Sequence, residues 1–269
     1  EFARALEIAQ AVRAAEGQAL FVGGWVRDRL AGWKSKDIDV EVYGVTAEHL
    51  RSLLERIDRV DRVGESFTVY KVGGIDVSLP RRESKTGRGH RGFTIEGDPN
   101  LSFKEAARRR DFTINAIAWN PLTNQYLDPY QGQNDLKQGI LKMVDSQTFS
   151  DDSLRVLRAI QFAARFGFTL DEATRAICRS ITLDDLPPER IWGELEKLLL
   201  GSPRPSVGLT LALELGVIER LFPELAALIG CEQEPEWHPE GDVWTHTLLV
   251  VDQAASSLKE LSHPKQSTL

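Results

Sequence analysis

Apolar and polar residues follow two different periods along the chain, and the change of period divides it in two. Up to about residue 148, short segments with the two-residue alternation of β-strands are interspersed with helical segments. From Ser150 onward only amphipathic helical spacing remains, broken by Pro and Gly. The pattern predicts an α+β fold: a sheet with flanking helices, followed by an all-α region.

The first part of the chain opens with a predicted helix and continues as strands, turns and short helices. The segments are a helix over 2–15, a strand over 19–22, a helical turn over 26–33, a strand over 36–44, a helix over 45–57 capped by Thr46, a hairpin over 66–83, a loop over 83–100 and a helix starting near 101. In the second part the first helix is predicted to begin with Ser150 as its N-cap.

The segment from Gly23 to Gly44 carries the chemistry that organises the first part. Asp37 and Asp39 are two residues apart on an apolar strand, so both carboxylates can face one point while Ile38, Val40 and Val42 face a core. Such a pair is how a divalent-ion site for phosphate chemistry is built. The alternative is the solvated edge of a half-exposed strand, although two acids on one face repel each other unless a cation is present.

A glycine pair, Gly23-Gly24, precedes this strand and separates the first strand from a helix. Backbone N–H groups at a helix N-terminus can hold a phosphate, and Arg27 one turn later can add a triphosphate contact. The alternative for Arg27 is a surface arginine paired with Asp28.

Further candidates lie on the following segments. Asp76, on the second strand of the hairpin, is either a third carboxylate beside Asp39 or a surface aspartate near a turn. Three consecutive arginines that end at Arg110 are followed by Asp111 and Asn115, which together indicate a phosphate or sugar site; the alternative is a solvated charge run.

The first helix of the second part has a polar stripe. Arg158, Gln161 and Arg165 fall on one side, with Arg155 at its flank, and apolar residues occupy the rest of the circumference. A buried helix that directs arginines to one side is expected to line a polar cleft or a ligand.

Composition narrows the class of protein. A chain of 269 residues with 42% hydrophobic residues can bury more than one core, and no apolar run reaches the length of a membrane span. Cys178 and Cys231 match no disulfide or zinc spacing, which favours a reducing cytoplasm. The net charge of -7 argues against coating nucleic acid. However, residues 81–110 contain nine Lys or Arg against four Asp or Glu, so a polyanion is expected to bind one face.

Five segments, FVGGWVRDRLAG, KDIDV, RRRDFTINAIA, DDSLRVLRAIQFAARFGF and PPERIWGELEKLL, occur in an order that resembles the class II tRNA nucleotidyltransferases and bacterial poly(A) polymerases. The resemblance spans about Leu20 to Leu225. It implies a polymerase-β-like palm with a mixed sheet over 1–148, a helical neck that recognises the nucleotide over 149–200, and a helical body with the truncated start of an HD-type domain over 201–269.

The resemblance also implies the role of each candidate residue. Asp37 and Asp39 resemble the metal ligands, and Asp76 a third catalytic acid. The nucleotide-binding positions that it implies are Gly24, Arg27, Arg110, Asp111, Asp152, Arg155 and Arg158. Gly23 and Asn115 join this list from the glycine turn and the arginine segment described above.

The implied reaction is template-independent addition of C and A to the 3′ end of tRNA from CTP and ATP, with Mg²⁺ as cofactor and pyrophosphate as product. Cytosine and adenine each present an amino donor next to a ring-nitrogen acceptor, which matches a carboxylate and a guanidinium from Asp152 and Arg155. The basic loop of residues 81–91 lies where family members that add the final A carry a flexible element, which favours CCA addition. The alternatives are A-addition and poly(A) synthesis, and the acidic net charge disfavours the second. Further alternatives are a catalytically silent RNA-binding module and a nucleotidyltransferase that acts on small molecules.

Two departures from the family pattern affect what is expected. Gln161 stands where many CCA-adding members have a third arginine. The segment around His246 resembles the start of an HD phosphohydrolase domain, but the sequence contains no His-Asp dipeptide, so we expect no HD metal site and no phosphohydrolase activity.

Overall fold

The computed structural model describes residues 1–35, 37–63, 69–85 and 93–262. The chain forms two compact units. The first comprises Glu1–Gln138 and Lys142–Asp151, and the second comprises Gly139–Leu141 and Asp152–Leu269. The three-part division expected from the sequence stays a prediction.

A seven-stranded mixed sheet forms the centre of the first unit. Its strands, in chain order, are β1 (Gln18–Val22), β2 (Asp39–Tyr43), β3 (Val60–Val63), β4 (Val69–Val72), β5 (Ile75–Ser78), β8 (Ala118–Asn120) and β9 (Gln125–Leu127), with β6 (Arg81–Lys85) and β7 (Phe93–Gly97) paired separately. The order across the sheet is β3-β4-β5-β2-β1-β8-β9. The β2–β5 pair is parallel and the other pairs are antiparallel.

The helices of this unit are α1 (Phe2–Ala14), α2 (Gly24–Ala31), α3 (Ala47–Glu55), α4 (Phe103–Arg108), α5 (Gly132–Gln138) and α6 (Ser146–Phe149), with a 3-10 turn at Thr113–Asn115. Because side chains alternate along a strand, the sheet has two faces with separate cores. One face packs Phe21, Val40 and Val42 with residues of α1 and α3. The other packs Leu20, Val22 and Tyr43 with residues of α4.

Most predicted elements of the first unit are confirmed. The antiparallel pairing of β4 with β5 through Gly73-Gly74 confirms the hairpin, and Thr46 caps α3 by accepting a hydrogen bond from the His49 N–H at 3.3 Å. Ile38, Val40 and Val42 are buried as expected. The strand begins at Asp39, so Asp37 lies just before it; Lys36 and residues 66–68 of the predicted strands lie outside the described residues.

The loop predicted over residues 83–100 is wrong in part. Strands β6 and β7 pair antiparallel, with Arg81 opposite Gly97 and Lys85 opposite Phe93. The backbone hydrogen bonds of a two-stranded ribbon do not need apolar alternation, so the Gly-rich, basic composition concealed this hairpin. Residues 86–92, which include Arg88 and Arg91 of the predicted basic loop, lie outside the described residues.

The second unit is helical apart from one small parallel strand pair, β10 (Ile140–Leu141) with β11 (Thr169–Leu170). Its helices are α7 (Leu154–Phe166), α8 (Glu172–Ser180), α9 (Pro188–Gly201), α10 (Pro205–Glu214), α11 (Val217–Leu221), α12 (Pro223–Ala226) and α13 (Val243–Ser262). None of the helices in the described ranges has the length and hydropathy that crossing a bilayer requires.

Ser150 does not cap the first helix of this unit, so that prediction is wrong. The residue follows α6, which Asp145 caps by accepting from the Thr148 N–H at 3.0 Å, and α7 starts after Ser153. The sequence SQTFSDDS offers several capping residues in succession, and their side chains alone do not decide which one starts the helix. Asp151 and Asp152, which a cap at Ser150 would place in the first turn, therefore precede the helix.

Candidate active site

Asp39 and Asp76 come from neighbouring strands of the first unit, and Asp37 lies two residues before Asp39, just ahead of β2. Asp39 opens β2, where it is paired with Val22 at the end of β1 on one side and with Asp76 of β5 on the other. In-register residues of parallel strands direct their side chains to the same face, so Asp39 and Asp76 share one face of the sheet. The Asp76 carboxylate also lies 3.6 Å from Lys71 Nζ, an exposed pair that salt and solvent screen.

The electrostatic setting of Asp39 differs from that of an ordinary surface aspartate. Although the residue reaches solvent, the protein around its carboxylate desolvates it and raises its pKa from 3.8 to about 6. Arg110 lowers this pKa, whereas Asp76, Asp37 and Glu41 raise it further through like charge. Asp39 is thus a carboxylate that lacks sufficient positive charge around it.

The glycine turn lies directly against this carboxylate. Gly23 has φ of 73°, a left-handed conformation that favours glycine, and it precedes α2 as its N-cap. A Cβ atom at this position would lie 3.2 Å from Asp39 Oδ2 and 3.5 Å from Arg110 Nη1. The missing side chain therefore lets the start of α2, with its unpaired N–H groups, approach the aspartate.

Arg27 is buried rather than on the surface, which corrects one of the two sequence interpretations. Its guanidinium donates to Asp28 Oδ1 from Nε at 2.8 Å and from Nη2 at 2.6 Å, which confirms the expected pairing with Asp28. Nη1 also donates to Asn115 Oδ1 at 2.7 Å, and Asn115 Nδ2 donates to Asp111 Oδ1 at 3.0 Å. Four of the candidate polar residues thus form one buried network.

The three arginines at the end of α4 are paired with acids and do not form a simple solvated charge run. Arg108 pairs with Asp145, with Nη2 3.0 Å from Oδ2. The next two reach Glu41: Arg109 Nη2 lies 3.8 Å from Oε1 and Arg110 Nη2 lies 3.5 Å from Oε2. Arg110 Nη1 also donates to the Asn115 carbonyl at 3.4 Å.

Glu41 is the site residue that the sequence reasoning missed. It is 1% exposed, and the Tyr43 hydroxyl donates to its Oε2 at 2.8 Å. Burial, followed by the charge of Glu41, raises the pKa of Tyr43, so this hydroxyl stays protonated and acts as the donor. The available signal was a third acid at two-residue spacing after Asp37 and Asp39, on a strand of otherwise apolar residues.

In the second unit, the predicted recognition residues lie at and before the start of α7. Asp152 precedes the helix and accepts from Arg190 Nη2 at 3.0 Å and from the Leu154 N–H at 3.2 Å. Arg155 and Arg158 are half-buried on α7, and Arg158 lies over the ring of Phe162 at 5.0 Å.

The expectation of a single polar stripe on α7 is corrected. Gln161 is 1% exposed, whereas Arg165 on the same predicted stripe is exposed, so the two side chains lie in different environments. On α9, Arg190 and Glu194 are one turn apart, but Arg190 pairs with Asp152 and Glu194 pairs with Lys197 at 2.8 Å.

His246 lies on α13 and contacts Glu240, which also lies 3.2 Å from His238 Nδ1. Hydrogen bonding from His246 is the main cause that lowers the pKa of Glu240 to about 2. Among the described residues this is the only group of three His, Cys, Asp or Glu whose ligand atoms all lie within 4.8 Å of one another. The expectation that this segment has no HD metal site and no phosphohydrolase activity stays a prediction.

The Asp37 and Asp39 carboxylates fit a hard divalent cation. Both donors are oxygens, and Mg²⁺ binds through one or two carboxylates together with substrate phosphates. Burial first, and then the like charges of Asp76, Asp37 and Glu41, raise the pKa of Asp39, which is a setting that a cation would stabilise. Together with the helix N-terminus at Gly23 and the guanidinium of Arg110, this arrangement can hold a polyphosphate beside a cation.

Comparison with known proteins decides the family. The profile of the Poly A polymerase head domain matches residues 19–142, and that of the probable RNA and SrmB-binding site of polymerase A matches residues 167–229. The Multifunctional CCA protein of Stenotrophomonas maltophilia (strain K279a) is 42% identical over 243 residues, which is 87% of this chain. The chain belongs to the tRNA nucleotidyltransferase and poly(A) polymerase family. Membership of this family implies dependence on a divalent metal.

Solved structures of family members have the same fold. A CCA-adding enzyme in complex with CTP aligns with this chain with a TM-score of 0.67 and 29% identity. The alignment covers 80% of this chain and 50% of that enzyme. The Thermotoga maritima CCA-adding enzyme complexed with tRNA aligns over 96% of this chain with a TM-score of 0.68 and 26% identity, and 64% of its own length. The chain likewise spans 58% of the Stenotrophomonas relative.

Proposed function

We propose that the chain carries the nucleotidyl-transfer centre of a CCA-adding enzyme, which adds C and A to the 3′ end of tRNA from CTP and ATP. The proposal rests on the placement of Asp39 against Gly23 and Arg110. There a carboxylate whose pKa is raised by burial and neighbouring acids lies beside a helix N-terminus and a guanidinium. Relatives named Multifunctional CCA protein and CCA-adding structures with CTP and with tRNA support this choice of substrates.

In the proposed reaction the RNA 3′-hydroxyl attacks the α-phosphate in line, and pyrophosphate leaves. Asp37 and Asp39 hold the divalent cation, for which we propose Mg²⁺; when bound, it lowers the pKa of the hydroxyl and neutralises triphosphate charge. Asp76 adds a third acid on the same face. The backbone of Gly23 and Gly24 and the side chain of Arg110 position the phosphates, so the protein contributes position and charge without a covalent intermediate.

A buried hydrogen-bond network behind this centre holds its backbone segments in place. Arg27, Asn115 and Asp111 bond to one another and to Asp28, which fixes the start of α2 relative to the segment that follows α4. Because Arg27 is bound by the Asp28 carboxylate and Asn115 joins Arg27 to Asp111, we assign the network to holding the phosphate-binding backbone in place.

Base choice is assigned to Asp152 and Arg155, with Arg158 as a further nucleotide contact. A carboxylate acceptor and a guanidinium donor match the amino group and ring nitrogen of cytosine and adenine and oppose the edges of uracil and guanine. The protein therefore replaces a nucleic-acid template. The division into a palm over 1–148, a neck over 149–200 and a body over 201–269, and a cytoplasmic location beside tRNA and nucleotides, belong to the same proposal.

The proposal is tested with three tRNA substrates that end at the discriminator base, after the first C and after the second C. Each is incubated with the chain, Mg²⁺ and either CTP or ATP. We expect CTP incorporation on the first two and ATP incorporation on the third. Incorporation of ATP alone on the third substrate would instead identify an A-adding enzyme, and long A tails on all three would identify a poly(A) polymerase. No incorporation would support the RNA-binding alternative.

A further inference from the structure

Glu41 is a buried carboxylate, and burying its charge costs free energy. It lies on β2 two residues after Asp39 and two before Tyr43, so these three side chains share one face of the sheet. The same face packs Leu20, Val22 and Tyr43 against the apolar side of α4. Burying an ionised carboxylate there is unfavourable unless charged and hydrogen-bonding partners surround it.

The partners of Glu41 occupy both of its oxygens. Oε2 accepts from Tyr43 at 2.8 Å and lies 3.5 Å from Arg110 Nη2, while Oε1 lies 3.8 Å from Arg109 Nη2. Since only 1% of Glu41 is exposed, it is not positioned to bind a cation from solvent as Asp39 is. Its charge acts on the two arginines.

Arg110 connects this buried acid to the candidate active site. Its guanidinium lies between Glu41 on one side and the Asn115 carbonyl on another, and Nη1 is 3.5 Å from where a Gly23 side chain would begin. Arg110 follows the end of α4, so two of its anchors come from other segments of the chain. Without Glu41, the guanidinium would lose its buried ion pair and keep the 3.4 Å bond to the Asn115 carbonyl and the attraction of the Asp39 carboxylate.

We propose that Glu41 is a positioning residue that, supported by Tyr43, holds Arg110 against the Gly23 turn so that its guanidinium meets the triphosphate of the incoming nucleotide. This inference rests on the proposed function and extends it to a residue that makes no contact with the substrate. Arg109 contacts the other oxygen of Glu41, so both oxygens of this buried carboxylate face a guanidinium.

The test compares Glu41→Gln, Arg110→Gln and the double variant with the unmodified chain, in CTP incorporation and in CTP binding by calorimetry. We expect Glu41→Gln to raise the KM and Kd for CTP by about tenfold and to change kcat by less than about twofold, because a charge-assisted contact is loosened while the metal ligands remain. In the Arg110→Gln background the same substitution should have less than about a twofold further effect. Effects that multiply in the double variant would contradict the proposal.

A matched control is Glu55→Gln, which removes an exposed carboxylate that pairs with Arg51 on α3 and is expected to leave CTP binding unchanged. If Glu41→Gln does not fold, Tyr43→Phe takes its place, because it removes only the hydroxyl that supports Glu41. It should raise KM about twofold to threefold, again only when Arg110 is present. An unchanged KM in the folded Tyr43→Phe and Glu41→Gln variants would refute the positioning role.

A measurement without nucleotide separates this inference from the proposed function. In the unmodified chain the side-chain N–H signal of Arg110 in NMR spectra is expected to be sharp and protected, and in Glu41→Gln it should exchange rapidly with water. If the unmodified chain incorporates no CTP but this difference is present, the positioning stands and the proposed function fails. If incorporation is present and the Arg110 signal is unchanged, the positioning fails alone.

Discussion

Asp39 in the first unit and Asp152 in the second are the two aspartates with central roles in the proposed reaction, and their surroundings are opposite. Asp39 lies among other acids, with Arg110 as the cation that lowers its pKa, and that pKa is raised to about 6. Asp152 already has a guanidinium 3.0 Å away and a backbone N–H at 3.2 Å. In the proposed reaction the first carboxylate binds a cation from outside, whereas the second is already held by Arg190 and the Leu154 N–H.

The difference follows from what each carboxylate must do. A metal ligand has to attract a mobile cation, so charge around it is left unbalanced. A base-reading carboxylate has to present one oxygen at a fixed angle, so the protein holds the other one. Arg190 on α9 bonds to Oδ2 of Asp152, whereas Oδ1 accepts from the Leu154 backbone N–H.

The largest loss of nucleotide incorporation is expected from neutralising Asp39, the proposed metal ligand. Asp39→Asn keeps the shape of the side chain but removes the charge, and nucleotide incorporation should fall by at least about 10³-fold. Single-turnover incorporation of CTP measures this loss. A fall of less than about tenfold would place the essential metal ligand elsewhere, and Glu55→Gln serves as the control.

A smaller effect is expected at the base-reading helix. In Arg155→Ala the guanidinium donor is lost, so discrimination against GTP and UTP should decrease by about 10- to 100-fold, while incorporation itself persists. The ratio of kcat/KM values for CTP over UTP, and for ATP over GTP, reports the change. Unchanged ratios would remove Arg155 from base selection.

The fixed orientation of Asp152 predicts a weaker effect of the same kind. Arg190→Gln releases Oδ2, and the freed carboxylate should discriminate about threefold to tenfold less well. The same kcat/KM ratios measure this change. Lys197→Gln, which removes the pairing with Glu194 on the same helix, is the matched control and should keep the ratios of the unmodified chain.

The smallest expected effect is on stability as a function of pH. The folded pKa of Asp39, about 6, lies above its ordinary 3.8, so between these values the folded chain retains a proton that the unfolded chain has lost. The metal-free chain should therefore lose stability at this group as pH rises from about 4 to about 6, and Asp39→Asn should remove that slope. Thermal melts in a chelator would show the variant a few degrees more stable at neutral pH. With Mg²⁺ added, the order should reverse, since only the aspartate binds it.

Much of the first unit could be predicted because its signals are local. The alternation around Asp39, the glycine turn at Gly73 and the Thr46 cap each depend on a few neighbouring residues, and all are confirmed. The strands β6 and β7 were missed because their residues lack apolar alternation. The start of α7 was misplaced because several capping residues follow one another.

Pairings between distant residues were beyond the reach of sequence patterns. Arg190 and Asp152 are 38 positions apart, and Arg110 and Glu41 are 69 apart. Local spacing offered each arginine a plausible near partner, such as Glu194 for Arg190. Only the packing of α9 beside α7, and of α4 across β2, selects the partner that is used.

The parallel pairing of β2 with β5 affects how the centre is assembled during folding. Antiparallel neighbours such as β4 and β5 are joined by a tight turn and can pair early, whereas a parallel pair requires a crossover, which here contains all of α3, β3 and β4. Asp39 and Asp76 meet only when that crossover has closed. Because nonlocal contacts form slowly, we expect the face that these acids share to be completed late, after the local hairpins have formed.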